Sequence, residues 1–98
     1  MQIKAGVRIQ GIQPEMILAC LVVEQHIPGF TMTSALDGQH SPKSKHKLGY
    51  AIDIRTRNLT PQQAVTANSD IQAALGYEYF VILENDHIHI QFNGSEIL

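Results

Sequence analysis

The chain has 98 residues, a length that suits one small domain with a thin core. Apolar residues make up 44% and charged residues 16%, which argues against disorder, and a net charge of -2 gives no global electrostatic case for nucleic acid or an anionic membrane. One cysteine excludes an intrachain disulfide, and the longest apolar run, residues 16–23, is far too short to span a bilayer. The N-terminal residues lack the pattern of a signal peptide, so the expectation is a single domain over residues 1–98, monomeric and made in the cytoplasm.

Val7 and Ile9 alternate with Arg8 and Gln10, which predicts a short strand ended by Gly11. Pro14 and Glu15 suit a helix N-terminus, and residues 14–26 follow as a first helix. Its apolar residues cover nearly the whole circumference, so it is expected to be buried on all sides. Pro28-Gly29 ends it. Phe30-Thr31-Met32-Thr33-Ser34 reads as a strand, then a long polar loop runs over residues 36–47. Tyr50-Ala51-Ile52-Asp53-Ile54 is a second strand, with Ala51 and Asp53 on one face. Thr60-Pro61-Gln62-Gln63 predicts a capped helix running to about Leu75, with Ala64, Val65, Ile71, Ala74 and Leu75 inward and Gly76 as its stop. Asn68 and Ser69 interrupt that face, so its middle is expected to fray. Residues 79–83 and 87–92 form two strands around a tight turn at Glu84-Asn85-Asp86, the clearest hairpin in the chain. The sum is an α+β fold: a small, mainly antiparallel sheet with two helices on one face. The other face carries Asp53, His87, His89 and Gln91.

That polar face holds the chemistry. A catalytic zinc needs three nitrogen, oxygen or sulfur ligands and an open position for water. His46, Asp53 and His89 offer two imidazoles and a carboxylate, with Gly49 permitting the turn between the first two and small Ala51 leaving room beside Asp53. A base must sit beside the water, whose pKa zinc lowers to about 7. Asp86, at the mouth of the hairpin, is placed for that. Spacing alone leaves a rival register open, since Glu84 stands to His87 as Asp86 stands to His89.

The segment Ser44-x-His46-x-x-Gly49-x-Ala51-x-Asp53, with five fixed positions in ten, and the later Asp86-x-x-His89 resemble the two signatures of the zinc D-alanyl-D-alanine carboxypeptidases and L-alanyl-D-glutamate endopeptidases. That family shares its fold with the hedgehog signalling domain and cuts peptidoglycan stem peptides. The chain looks most like the short phage and prophage members, over a core of about residues 13–92. The resemblance implies His46, Asp53 and His89 as zinc ligands, Asp86 as general base and a peptidoglycan peptide as substrate, in the manner of an endolysin. It favours His89 over His87 because Ile90-Gln91 follows. Such an enzyme would reach the cell wall after lysis, through a pore or as part of a virion. One departure is plain: many larger members carry an Arg shortly after the Thr-Ser pair to stabilise the oxyanion, and Thr33-Ser34 is followed by none. Losing such a donor costs about a hundredfold to a thousandfold in rate. Gln39, His40, Lys43 and Arg55 are candidates to replace it. A non-hydrolytic, zinc-binding structural or wall-binding phage module is the alternative.

Plainer roles suit other residues. Ser44 fits a brace for the loop or a ligand better than a nucleophile, and His40 and His87 fit groups beside the ligands or on the substrate side. His26 suits a helix C-terminus, and Cys20 suits core packing. Lys43, Lys45 and Lys47 surround His46 and either face water or draw in substrate carboxylates.

Overall fold

The computed structural model describes residues 1–38 and 44–94. The expectations placed on Gln39, His40 and Lys43 lie outside the described residues. In chain order the elements are β1 (Gln2–Ile3), α1 (Pro14–His26), β2 (Thr31–Ser34), β3 (Ala51–Arg55), α2 (Pro61–Leu75), β4 (Tyr79–Leu83) and β5 (His87–Phe92). The fold is α+β. Its strands form one five-stranded mixed sheet in the order β1-β2-β3-β5-β4, with β1 parallel to β2 and the other pairings antiparallel.

The expected strand at residues 7–10 is not formed. Gly6 and Gly11 both take positive φ, so turns bracket the segment, and it is held by isolated bonds such as Leu36 N–H to the Arg8 carbonyl (2.9 Å). Alternation predicts which side chains could share a face, and a ladder partner is still needed to make a strand. The N-terminal strand lies earlier, where Gln2 and Ile3 pair with Thr31 and Met32.

Pro14 opens α1, whose inward stripe is Met16, Ala19 and Val23. Ile17, Leu18 and Leu21 are 52%, 53% and 63% exposed, so the helix is not buried all round. One layer of helices covers one face of the sheet, and a helix in such a layer has an outward side whatever its sequence. In α2 the capping box is complete: Thr60 Oγ1 accepts from the Gln63 N–H (3.1 Å) and Gln63 Oε1 accepts from the Thr60 N–H (2.9 Å). The helix runs unbroken through Asn68 and Ser69. Its inward stripe is Ala64, Ala67 and Ile71, at i, i+3 and i+7, which turns Val65 and Ala74 to solvent rather than inward.

The core joins these stripes to Met32, Ile52, Ile54, Val81, Ile88 and Ile90, so both helices pack on one face of the sheet. Tyr79 ties the ends of the core together, donating its hydroxyl to the Glu15 carbonyl (2.8 Å). Burial raises the pKa of that phenol, with help from the Glu15 and Glu78 charges. Cys20 packs against the core, and burial pushes its thiol up to about 11. The free edge of β4 is partly closed by Gln72, whose Nε2 donates to the Tyr79 carbonyl (2.8 Å) and whose Oε1 accepts from the Val81 N–H (3.0 Å). Among the described residues no helix is long and apolar enough to cross a membrane.

Candidate metal centre

Strand register assembles two of the three expected ligands. Asp53 of β3 and His89 of β5 are direct cross-strand partners, so their side chains rise from the same spot on the open face. Ile52 and Ile54, Ile88 and Ile90 alternate with them and are buried beneath the helices. The third ligand comes from outside the sheet. His46 lies in a turn where its carbonyl accepts from the Gly49 N–H (3.1 Å), and the residue is only 4% exposed. Ser44 Oγ accepts from the His46 N–H (3.1 Å).

Two features hold that turn. Gly49 has φ of +80°, and a Cβ there would lie 2.4 Å from the Gly11 carbonyl oxygen, so the close approach of two loops requires glycine. The Gln13 N–H donates to the Gly49 carbonyl (3.0 Å) and the Gln13 side chain to the Leu48 carbonyl (3.1 Å), fastening the turn to the start of α1. The second feature is a bulge in β2. Met32 pairs with Ile54 while Ser34 pairs with Asp53, which leaves Thr33 as the extra residue. Beyond the bulge, the Ala35 carbonyl accepts from His46 Nδ1 (2.7 Å).

These contacts fix tautomers. A carbonyl can only accept, so His46 carries its proton on Nδ1 and turns a lone pair on Nε2 toward Asp53 Oδ1, 3.2 Å away. Gln91 does the same for the other ring. Its amide nitrogen donates to Asn93 Oδ1 (2.7 Å), leaving Oε1 to accept from His89 Nε2 (2.7 Å). His89 Nδ1 then faces the same Asp53 oxygen at 3.0 Å. With both rings neutral, three acceptor atoms converge, and such a group is stable only with a cation among them, a proton or a metal. The ligand atoms all lie within 4.8 Å of one another. The two separations from Asp53 Oδ1 are near the roughly 3.3 Å between ligand atoms on a tetrahedron with bonds of about 2.0–2.1 Å. The group can therefore hold a metal ion.

The electrostatics agree. Burial pushes the Asp53 carboxyl up, but in the metal-free protein the bonds that His46 and His89 donate once protonated, and the charges of His46 and His87, outweigh it and hold it well below the usual carboxylate range. The bond to Asp53 raises the His89 pKa against the opposing effect of burial, with further support from Gln91.

Asp86 stands at the hairpin turn with its side chain 87% exposed, and its Oδ1 bonds His87 Nδ1 at 2.6 Å. That bond, more than the accompanying charge, keeps the Asp86 carboxyl below its ordinary value. His87 Nε2 is in turn 3.8 Å from Asp53 Oδ1 and 4.0 Å from Glu84 Oε1. Asp86 thus approaches the cluster alongside His87. A cleft of about 360 Å³ opens beside Asp53, and Thr33, Ser34, Arg55, Asp86 and His87 are among the residues that line it. A larger cleft of about 440 Å³ lies between the end of α1 and the first half of α2 and holds no such group of ligands.

Spacing arguments did not reach the Ala35 carbonyl or the Gln91 amide. Gln91 had a signal, being two residues beyond His89 on the same strand face. The Ala35 carbonyl had none, because a main-chain acceptor leaves no trace in residue type. No family model matches the chain, and no match was found among the curated proteins or the solved structures.

Proposed function

We propose that this protein is a zinc metallopeptidase of the D-alanyl-D-alanine carboxypeptidase and L-alanyl-D-glutamate endopeptidase kind, with a hedgehog-like fold, acting on peptidoglycan stem peptides. The observation that carries the proposal is the convergence of two tautomer-fixed imidazoles on one carboxylate beside an open cleft. Two imidazoles and a carboxylate with a position left open form the donor set of hydrolytic zinc sites. Zinc bound there would supply the Lewis acidity that polarises a scissile carbonyl and acidifies a water.

The chain's own groups do the rest. Asp86, ionised and oriented by His87, accepts the proton of the attacking water and returns it to the leaving amine. His87, between Asp86 and Asp53, keeps that carboxylate turned toward the cleft. Substrate class follows from the resemblance of the two motifs. With no Arg after Thr33-Ser34, Arg55 is the described candidate for a donor near the developing oxyanion.

Purified protein carrying one equivalent of zinc should release new amino groups from cell-wall fragments. Chelator should stop the release and zinc restore it. Asp86→Ala should slow it by about a hundredfold to ten-thousandfold without changing zinc content. No release from fully zinc-loaded protein would leave the non-hydrolytic, zinc-binding phage module, which the missing Arg favours. Stoichiometric iron in place of zinc would also overturn the peptidase, since two imidazoles and a carboxylate serve non-haem iron as well.

A further inference from the structure

β4 is an outer strand of the sheet, and its outward main-chain groups can be accounted for one by one. The Glu84 N–H donates to the His87 carbonyl (2.8 Å), which sets the alternation of the ladder. Phe80 and Ile82 therefore bond to β5, and Tyr79, Val81 and Leu83 turn their main-chain groups away from it. The Tyr79 N–H donates to the Gly76 carbonyl (3.2 Å), and Gln72 engages the Tyr79 carbonyl (2.8 Å) and the Val81 N–H (3.0 Å). The Val81 carbonyl and both main-chain groups of Leu83 have no hydrogen-bond partner among the described residues. Sheet edges are commonly guarded by brevity, a charge, a proline or a bulge. The other outer strand, β1, has two residues, whereas β4 is Tyr-Phe-Val-Ile-Leu in unbroken register, with none of those guards. Gln72 joins α2 to the β4 edge at one end. Toward the start of α2 a cleft of about 380 Å³ opens, walled by Leu59, Pro61, Ala64, Val65 and Leu83. An unpaired strand edge and an apolar cleft thus meet at Leu83.

We propose that the β4 edge and this cleft form a docking groove for an extended segment of another polypeptide, which adds as a sixth strand beside residues 81–83 and seats one apolar side chain in the cleft. The unpaired groups name the partner's chemistry: one donor and two acceptors in strand geometry are met by a main chain in extended form. The added residue opposite Leu83 turns its side chain to the face that Leu83 shares with buried Tyr79 and Val81, the face on which the cleft lies. Gln72 stops the added strand short of Tyr79. The β4 of a second copy cannot supply that side chain, because its own Leu83 lines its own cleft. The groove shares Arg57 and Asp86 with the cleft beside Asp53, but the proposal is independent of the peptidase reading.

The test is titration of the full chain as purified with capped peptides, acetyl-Thr-Val-X-Val-Thr-amide, where X is Leu, Ile, Phe or Ala, followed by amide shifts and hydrogen exchange. At millimolar peptide at least one of the three large side chains should give saturable shifts at residues 81–84 and at Ala64 and Val65, and should slow exchange of the Leu83 amide by at least about tenfold. The Ala peptide should bind at least about tenfold more weakly, having lost the apolar group that the cleft buries. Methylating the nitrogens along one edge of the best peptide should abolish binding, and methylating those along the other should not. Val65→Glu, at a position 54% exposed, should weaken that peptide by at least about tenfold with the fold and zinc content unchanged. No saturable shift with any of the three, shifts confined to other residues, or binding that withstands methylation of either edge overturns the groove. Shifts at residues 81–84 that grow with protein concentration in the absence of peptide assign the edge to a second copy and overturn the peptide assignment.

Discussion

His46 and His89 point their lone pairs at the same oxygen but are placed by opposite means. His89 belongs to a central strand, and its position follows from pairing with Asp53 across the ladder. His46 belongs to a turn, and its position follows from a bulge in β2, the contact of Gly49 with distant Gly11, and the Ala35 carbonyl. A ligand set by register is hard to move without undoing the sheet. A ligand set by loop contacts can be loosened while the sheet stays intact.

The largest effect should come from the residue both share. Asp53→Ala removes the carboxylate that both rings face and should abolish stoichiometric metal binding, read by metal analysis after reconstitution; full occupancy would disprove the ligand assignment. Next is Gly49→Ala, which puts a Cβ against the Gly11 carbonyl and forces an unfavourable φ. The φ penalty alone is about 1–2 kcal/mol, and denaturant melts should show at least that much destabilisation together with weaker metal binding. Gly76→Ala also carries a positive φ but meets nothing within 4 Å, so it should cost less and leave metal affinity unchanged. Equal losses from the two variants would show that the 45–49 turn does not depend on its seat against Gly11.

Smaller changes separate the two histidines. Gln91→Leu removes the acceptor that sets the His89 tautomer and should weaken metal binding by about ten- to a hundredfold. The matching contact on the other side is a carbonyl and cannot be substituted. It can be reached through Asp37, whose Oδ1 accepts from the Ala35 N–H (2.9 Å) and the Arg8 N–H (3.0 Å). Partial burial pushes the Asp37 carboxyl up, but these bonds and the Ser34 hydroxyl outweigh it, and its pKa lies below the ordinary value. A carboxylate with a depressed folded pKa stabilises above its unfolded value, about 3.9, and loses that contribution as pH falls through the lower folded value. Metal-free protein should therefore lose stability below about pH 4 in part through Asp37, and Asp37→Asn should flatten that slope in melts across pH 2–6. The same variant should weaken metal binding less than Gln91→Leu, because it acts one step further from the ring.

What could be read from the chain follows the same division. Period-two alternation in β3 and β5 put Asp53, His87, His89 and Gln91 on one face, and the capping box and hairpin announced themselves locally. The bulge at Thr33, the Gly49–Gly11 approach and the two-residue β1 depend on segments that meet only in three dimensions, so no local pattern encodes them. The apolar character of α1 hid its orientation. With apolar residues all round, the pattern named no inward side, and contact with the sheet chose Met16, Ala19 and Val23. Asp86 was expected beside the ligands, and its bond to His87 is a contact that spacing did not indicate.

The strand order has a consequence in time. β5, the last described strand along the chain, lies between β3 and β4. While the chain is being made, β3 and β4 have no partner joining them until residues 87–92 emerge, and Asp53 has no facing imidazole from the sheet. An ion that needs all three ligands would be captured only by a chain whose late strand has already inserted. Metal uptake would then mark completed folding rather than begin it.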